Sequence, residues 1–128
     1  MTCIPLSWDR PPLTKNDTRR QGHHHVMRRK WSDALDAARY AIRAAKVKPL
    51  DGRVIVLLHW QQPDRRRRDG DGAFPTLSAC LDALVLEGVI PDDSYKYVAH
   101  SGVTVHEPRP GTPGQLWLDI THAPKEVP

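Results

Sequence analysis

The sequence predicts a small α/β domain in which a mixed β-sheet packs against two main helices. The chain has 128 residues, which fits one domain of common size, so we treat residues 1–128 as a single domain. Hydrophobic residues make up 39% and charged residues 27%, a balance typical of globular proteins rather than of disordered or membrane proteins. Segments of strand and helix periodicity alternate in the order β, α, β, α, β, β.

The first half of the chain predicts one strand, one basic loop and one helix. Cys3 to Trp8 is predicted as a short strand that ends before Pro11 and Pro12. Residues 13–26 are polar and basic, which indicates a loop. A helix is predicted from about Met27 to Lys46, before Pro49, because apolar side chains recur at spacings of three and four, namely at Trp31, Leu35, Ala38, Ile42 and Ala45.

The best strand of the chain is Val54 to Trp60, which is almost continuously apolar and is therefore expected to be central and covered on both faces. Its longest apolar run, Val54 to Leu58, is far shorter than the roughly 18 residues of a membrane-spanning helix. A second helix is predicted to begin near Pro75, a favourable residue of a first turn, and to stop at Gly88.

Two further strands are predicted after this helix. One lies around Tyr95 to Ala99. Gly102 then interrupts the pattern, and residues 103–106 are expected to continue in an extended conformation. In the last strand Leu116, Leu118 and Ile120 alternate with polar residues and Trp117, which indicates one buried face.

Cysteine usage and the first residues favour a cytoplasmic protein. Cys3 and Cys80 are the only cysteines, which predicts two free thiols in a reducing compartment. The first residues show no basic segment followed by an apolar one, so no signal peptide is expected. No glycine-rich phosphate loop followed by Lys and Ser or Thr occurs, so no nucleotide cofactor is expected.

Positive charge is concentrated in two segments of a chain whose formal net charge is +4. Residues 9–31 contain seven Lys or Arg against two acids, and Arg65, Arg66, Arg67 and Arg68 form a second cluster without a spacer. Such clusters bind phosphates by releasing counterions, which favours a nucleic-acid partner. The alternative interpretation is a solvated basic face.

Two pairs of acids suggest a metal site. Asp69 and Asp71 lie two apart after the central strand, and in an extended segment such residues point the same way. Asp92 and Asp93 follow the second helix, and one of them completes a cluster of three if that segment returns beside the central strand. Oxygen ligands favour Mg²⁺ or Mn²⁺ over zinc. The alternative is that both acidic segments are simply turns.

These motifs together resemble the RusA family of Holliday junction resolvases. The resemblance comprises the run PDRRRRDGDG and the later LDALVLEGVIPDDS, both between Pro63 and Ser94. It also includes the early segment Pro12 to Asp17 and the ending GTPGQLWLDI, which is similar to actinobacterial phage members of the family. The resemblance spans nearly the whole chain, and it implies a homodimeric endonuclease that cuts four-way DNA junctions with Mg²⁺.

The resemblance also implies specific roles for residues of this chain. Asp69, Asp71 and Asp93 take the positions of the catalytic acids, with Asp92 beside them as a further metal ligand. The DNA-binding residues are expected to be Arg65, Arg66, Arg67, Arg68, Lys15, Asn16, Arg19 and Arg20. The chain departs from the family at two positions, because Gly72 replaces an Asn and Ser78 replaces the catalytic Lys. Lys96, three residues after Asp93, is a candidate substitute for that lysine.

Two other functions are compatible with the sequence. One is a junction-binding protein on the same fold that does not cut, which the missing Asn and Lys favour. The other is a small basic interaction protein without a metal. Several remaining side chains have a structural interpretation, with His59, Trp31 and Trp60 expected in packing and Asp82 on a helix surface.

Overall fold

The computed structural model describes residues 1–15, 17, 24–65 and 70–126, without the side chains of His24, Gly70 and Asp71. Its elements follow the predicted order. They are β1 (Thr2–Pro5), α1 (His24–Ala44), β2 (Val54–Gln61), α2 (Phe74–Leu86), β3 (Val98–His106) and β4 (Gln115–His122), and a 3₁₀ turn (Gly70–Ala73) lies directly before α2. No helix among the described residues is both long and apolar enough to span a membrane.

The four strands form one mixed sheet in the order β1-β4-β2-β3. β2 is central, parallel to β3 and antiparallel to β4, and β1 pairs antiparallel with β4. The parallel pair β2 and β3 is joined through α2, as parallel strands require a crossover. The predicted architecture, a mixed sheet with two main helices, is confirmed, and the fold is of the α+β class.

The hydrophobic core lies between one face of the sheet and the two helices. Val54, Val56 and Leu58 of β2 are fully buried there, at 0% exposure, together with residues of α1 and α2. Ile55, Leu57 and His59 point to the opposite face and are only half-buried. The expectation that β2 is covered on both faces is therefore wrong, because both helices pack on the same side of the sheet.

Three element boundaries differ from the predicted ones. β1 ends at Pro5 rather than at Trp8, and α1 begins at His24, inside the segment expected to be a loop. β3 begins at Val98 rather than near Tyr95, and it runs without a break through Gly102, which pairs with Leu57. Pairing with the central strand outweighs the weak strand preference of glycine at this position.

The two helices run side by side and are joined by an ion pair near their carboxyl ends. The Glu87 carboxylate lies 2.7 Å from Arg39 Nε and 2.5 Å from Arg43 Nε. Gly88 then ends the helical segment with a φ of 76°, a conformation that favours glycine. At the other end of the helices Trp31 is half-buried and packs against Leu13, Ala34 and Ala79.

Candidate nucleic-acid and metal site

The turn that contains Asp71 lies where the sequence predicts it, between the carboxyl end of β2 and the amino end of α2. β2 ends at Gln61, Arg65 is exposed, and residues 70–73 form the 3₁₀ turn that leads into α2. Ala73 is fully buried, so the turn is anchored on the core. We refer to Gly70–Ala73 as the aspartate turn.

Several predicted site residues lie outside the described part of the chain. They are Asn16, Arg19, Arg20, Arg66, Arg67, Arg68 and Asp69, as well as the side chain of Asp71. Of the predicted DNA-binding residues, the structure describes Lys15, which is half-buried, and Arg65, which is exposed.

The basic N-terminal loop is held directly against the aspartate turn. The backbone N–H of Lys15 donates to the carbonyl oxygen of Gly72 at 3.1 Å. Thr76, at 0% exposure in the first turns of α2, fixes the same loop, because its Oγ1 accepts from Leu13 N–H at 3.1 Å and donates to Leu13 O at 2.7 Å. Two predicted segments that are far apart in sequence therefore meet in one place.

Asp17 connects the N-terminal loop to α1. Its carboxylate accepts from the backbone N–H of Thr14 at 2.9 Å and from Lys30 Nζ at 2.9 Å. Partial burial opposes ionisation of this group, but the bonds from Lys30 and Thr14 outweigh it and lower the pKa of Asp17. Asp17 is therefore a structural acid of the loop.

The turn with Asp92 and Asp93 lies at the amino ends of the parallel strands. Val54 N–H of β2 donates to Tyr97 O at 2.8 Å, and Val98 N–H donates to Ser94 O at 2.9 Å, which places the segment before β3 there. The aspartate turn precedes α2, and this second turn follows it. A helix of 13 residues, about 20 Å long at 1.5 Å per residue, lies between them along the chain.

Asp92 and Asp93 differ in their surroundings. Asp92 Oδ1 accepts from the backbone N–H of Asp93 at 2.8 Å. A side-chain bond from Ser94 and this backbone bond lower the pKa of Asp92, so its carboxylate is used within its own turn. Asp93, by contrast, lies near Asp82 of α2.

Asp82 and Asp93 form an acidic pair. Partial burial, and then the negative charge of Asp93, raise the pKa of the Asp82 carboxyl group. Ser78 lies four residues before Asp82, on the same side of α2, so this side of the helix leads from the aspartate turn toward Asp93. The sequence favoured a surface acid over a residue beside a metal ion for Asp82, because nothing in the periodicity shows which turn it approaches.

The described side chains do not by themselves complete a metal site. Among them, no group of three or more His, Cys, Asp or Glu is arranged to hold a metal ion. The chemistry of the acids nevertheless fits Mg²⁺, because Asp82 and Asp93 are oxygen donors whose mutual repulsion a divalent cation relieves. The backbone of Asp71, a predicted ligand, lies before the amino end of α2, and this pair lies toward its other end, so the described residues do not bring Asp71 and Asp93 together.

The two positions at which the chain departs from the RusA pattern have room for larger side chains. A Cβ atom at Gly72 would meet nothing within 4 Å. Ser78 is exposed. Lys96 is exposed in the same turn as Asp93 and therefore lies beyond the carboxyl end of α2, away from Ser78 near its amino end.

A cluster of titratable and aromatic side chains on the half-exposed face of the sheet was not foreseen from the sequence. His59 Nδ1 and His106 Nε2 are 2.8 Å apart, with ring centroids 5.0 Å apart and 22° between the ring planes, so the rings meet edge to edge. Both rings stack on Trp117, with centroid distances of 5.1 Å. His59 Nε2 also lies 2.8 Å from Asp119 Oδ2. His59 packs as expected. Its partners His106 and Trp117 are set by the register of β2 against β3 and β4.

This cluster predicts that stability falls in mild acid. Burial, and then the charges of His59 and Arg109, lower the pKa of His106 below its ordinary value of 6.5, and Asp119 only partly opposes them. The unfolded chain therefore takes up a proton at a higher pH than the folded chain, and the stability from neutral His106 is lost as pH falls below about 6.5 toward its folded pKa. We expect the melting temperature to fall over this range, measured by calorimetry. The control is His106→Gln, which keeps an acceptor but does not titrate, and a parallel fall in both proteins would contradict the assignment.

Comparison with protein-family models and with curated proteins finds no match for this chain.

Proposed function

We propose that this chain is a metal-dependent endonuclease that cuts branched DNA, with the four-way junction as its substrate, in the manner of the RusA family that it resembles. The observation that supports this most is the hydrogen bond from Lys15 N–H to Gly72 O. It joins a basic loop to the turn that contains Asp71, and cleavage of a phosphodiester needs a phosphate-binding group beside the acids.

DNA binding in this proposal depends on phosphate contacts. Lys15 and Arg65 lie on the two segments that flank the aspartate turn, and the chain has a net charge of +4. Phosphate contacts position the DNA but contain no base information, so the shape of the junction is expected to matter more than its sequence. Affinity should fall steeply with salt.

The proposed cofactor is Mg²⁺ or Mn²⁺, with Asp69 and Asp71 as its ligands. The resemblance adds Asp93, with Asp92 beside it, whereas the structure places Asp93 near Asp82, toward the other end of α2 from the aspartate turn. When bound, the cation supplies positive charge at the scissile phosphate and activates water for attack. Lys15 and the arginine run hold the DNA backbone on either side of the acids. Partial burial, and then the charge of Asp93, raise the pKa of Asp82, and a cation bound at this pair would favour the ionised form of the carboxyl group.

We further propose that the protein acts as a homodimer in the cytoplasm. A four-way junction has two-fold symmetry, and a two-fold dimer presents two equivalent sites to its opposing strands. The mass in solution, measured by light scattering with and without a junction, tests this part separately.

A second candidate function is junction binding without cleavage. Gly72 and Ser78 favour it, since the family has an Asn and a Lys at these positions. The basic loop and the arginine run do not require an Asn or a Lys at these two positions, so junction binding would persist in such a protein.

The first test is a gel assay on a synthetic four-way junction and a matched duplex, in Mg²⁺ and then in Mn²⁺. We expect paired symmetric nicks in the junction only. Asp71→Asn should reduce the rate by about 10²-fold or more, by analogy with the loss of one charge-stabilising group. Asp51→Asn, which removes the same charge from an exposed site, is the control and should cut normally.

The other outcomes separate the alternatives. A junction that is shifted but uncut in both metals would show a binding protein without nuclease activity. If the junction is no better bound than the duplex, and Mg²⁺ leaves the melting temperature unchanged, the chain is a basic interaction protein without a metal site.

A further inference from the structure

The face of the sheet that points away from α1 and α2 has no helix of the described residues packed on it. We call this surface the open face. Its strand positions are all described, and all are half-buried or exposed. They are Cys3 and Pro5 of β1, Ile55, Leu57 and His59 of β2, His100, Gly102, Thr104 and His106 of β3, and Trp117, Asp119 and Thr121 of β4.

The open face has few charges for a surface that would meet water. Charged residues make up 27% of the chain, yet Asp119 is the only Asp, Glu, Lys or Arg among the positions of this face. Its carboxylate lies 2.8 Å from His59 Nε2 of the same chain, so this charge already has a partner. Depletion of charge around an aromatic residue, here Trp117, is typical of the centre of a protein–protein interface.

The central strand indicates the same. A sheet with one solvated face usually alternates apolar and polar residues along its strands, whereas Ile55 and Leu57 place aliphatic side chains on the open face of β2. Parallel pairing, as between β2 and β3, occurs mostly in sheets that are covered on both faces. The two helices of one chain cover one face, so a second layer would come from another molecule.

The open face has about the area that a stable pair of copies needs. β2 and β4 have eight residues, β3 has nine and β1 has four. At about 4.8 Å between strands and about 3.3 Å per residue, they form a flat area of roughly 450 Å². Two copies face to face enclose about 900 Å² before the relief of side chains is added, close to the minimum of about 1,000 Å² for a specific interface.

The register of the strands makes this face complementary to itself about a two-fold axis that runs along β2. His100 and Thr121 flank Ile55 on opposite sides. Rotation about β2 exchanges the side of β3 for the side of β4, so His100 meets Thr121 of the partner subunit at the same level. An imidazole and a hydroxyl group can hydrogen-bond to each other. Ile55 lies on the axis and meets its own copy.

The same axis keeps the one charge of the face away from its counterpart. Asp119 and Gly102 flank Leu57 on opposite sides, so Asp119 faces Gly102 of the partner subunit, which adds no side chain of its own. An axis across the strands at Leu57 would instead set Asp119 against Asp119 of the partner subunit, and like charges that face each other across an interface are costly. The charges therefore favour the axis along β2.

We propose that two copies of this chain join through the open face, sheet to sheet, about a two-fold axis along β2. The inference rests on the proposed homodimer and gives it a surface. The loop of Lys15 is held by Thr76 of α2, on the helix side, so the surface proposed for DNA stays free in each copy. Because the axis runs along the strands, both aspartate turns lie at the same end of the dimer.

The first test compares the mass in solution of three proteins by sedimentation velocity. Wild type should have twice the 14.5 kDa mass of the chain. Leu57→Glu places a charge on the axis and should raise the dissociation constant by about 100-fold or more, the size of the effect of a central interface residue. The control is Tyr40→Glu, at a position of α1 that is 74% exposed, and it should stay dimeric.

The second test is cross-linking, which does not depend on how well Leu57→Glu folds. In a Cys3→Ser background, a mixture of His100→Cys and Thr121→Cys proteins should be joined by a short bis-maleimide into a dimer. Either variant alone should cross-link far less, because equal positions lie on opposite sides of the axis. The remaining thiol, Cys80, is fully buried.

The outcomes separate this surface from the rest of the proposed function. A wild-type protein that stays monomeric at every concentration would overturn the inference together with the homodimer, while cleavage of junctions is measured independently. A folded Leu57→Glu protein that stays dimeric would overturn the surface alone. Equal cross-linking in the mixture and in the single variants would do the same.

Discussion

Gly72→Asn together with Ser78→Lys is expected to raise the rate of junction cleavage by a factor on the order of 10²–10³, the size of the effect when one charge-stabilising group is lost. The two substitutions restore the side chains that the RusA pattern has at these positions. Both fit without rearrangement, since the Cβ at Gly72 meets nothing within 4 Å and Ser78 is exposed. The measurement is single-turnover cleavage of a four-way junction at saturating protein.

The matched control for this gain is Gly72→Ala with Ser78→Gln, which adds side chains at the same positions without the charge. It should leave the rate unchanged. If Lys96 already supplies the missing charge, the restored protein gains little, and Lys96→Ala alone abolishes cleavage. If neither the restored protein nor the wild type cuts the junction, the nuclease proposal fails.

Thr76→Val is expected to destabilise the fold by about 2–4 kcal/mol. The hydroxyl of Thr76 bonds both the N–H and the carbonyl of Leu13 in a fully buried position. Valine has the same shape but leaves both backbone groups without this partner, and each such group costs about 1–3 kcal/mol. Denaturant unfolding measures the loss, and hydrogen exchange at the Leu13 amide should show the loop released.

This substitution also has a functional consequence. Leu13 and Lys15 belong to the same loop, so releasing Leu13 should loosen the contact between Lys15 and Gly72 and weaken junction binding. Thr76→Ser keeps the hydroxyl and is the control. It should lose only the contribution of one buried methyl group, about 1 kcal/mol, and retain junction affinity. Equal losses in both variants would show that packing rather than hydrogen bonding fixes the loop.

The approximate positions of the helices and strands could be predicted from local sequence patterns. Alternation in Leu116 to Ile120 predicts a strand with one buried face, and the structure buries those leucines while Trp117 lies on the other face. Pro75 and Gly88 mark the start and the end of the second helix closely, because proline fits a first turn and glycine tolerates a positive φ. Such signals act within a few residues and need no knowledge of the rest of the fold.

Other features depended on which segments meet in space. The almost continuous apolar run of β2 is typical of a strand covered on both faces, so its half-exposed face was not predictable from the sequence. The approach of Asp93 to Asp82 depends on the path after Gly88, and the hydrogen-bonded pair His59 and His106 depends on the register of β2 against β3.

The sequence by itself determined the class of the fold, the order of its elements, the charge of its two basic segments and the candidate acids. These properties follow from composition and from periodicities of two and 3.6 residues, which are local. Only the tertiary structure decided that the loop of Lys15 meets the aspartate turn, that both helices share one face, and that His59, His106 and Trp117 meet on the other. These contacts join residues far apart in the chain, and their free energy comes from burial and hydrogen bonding that no local pattern encodes.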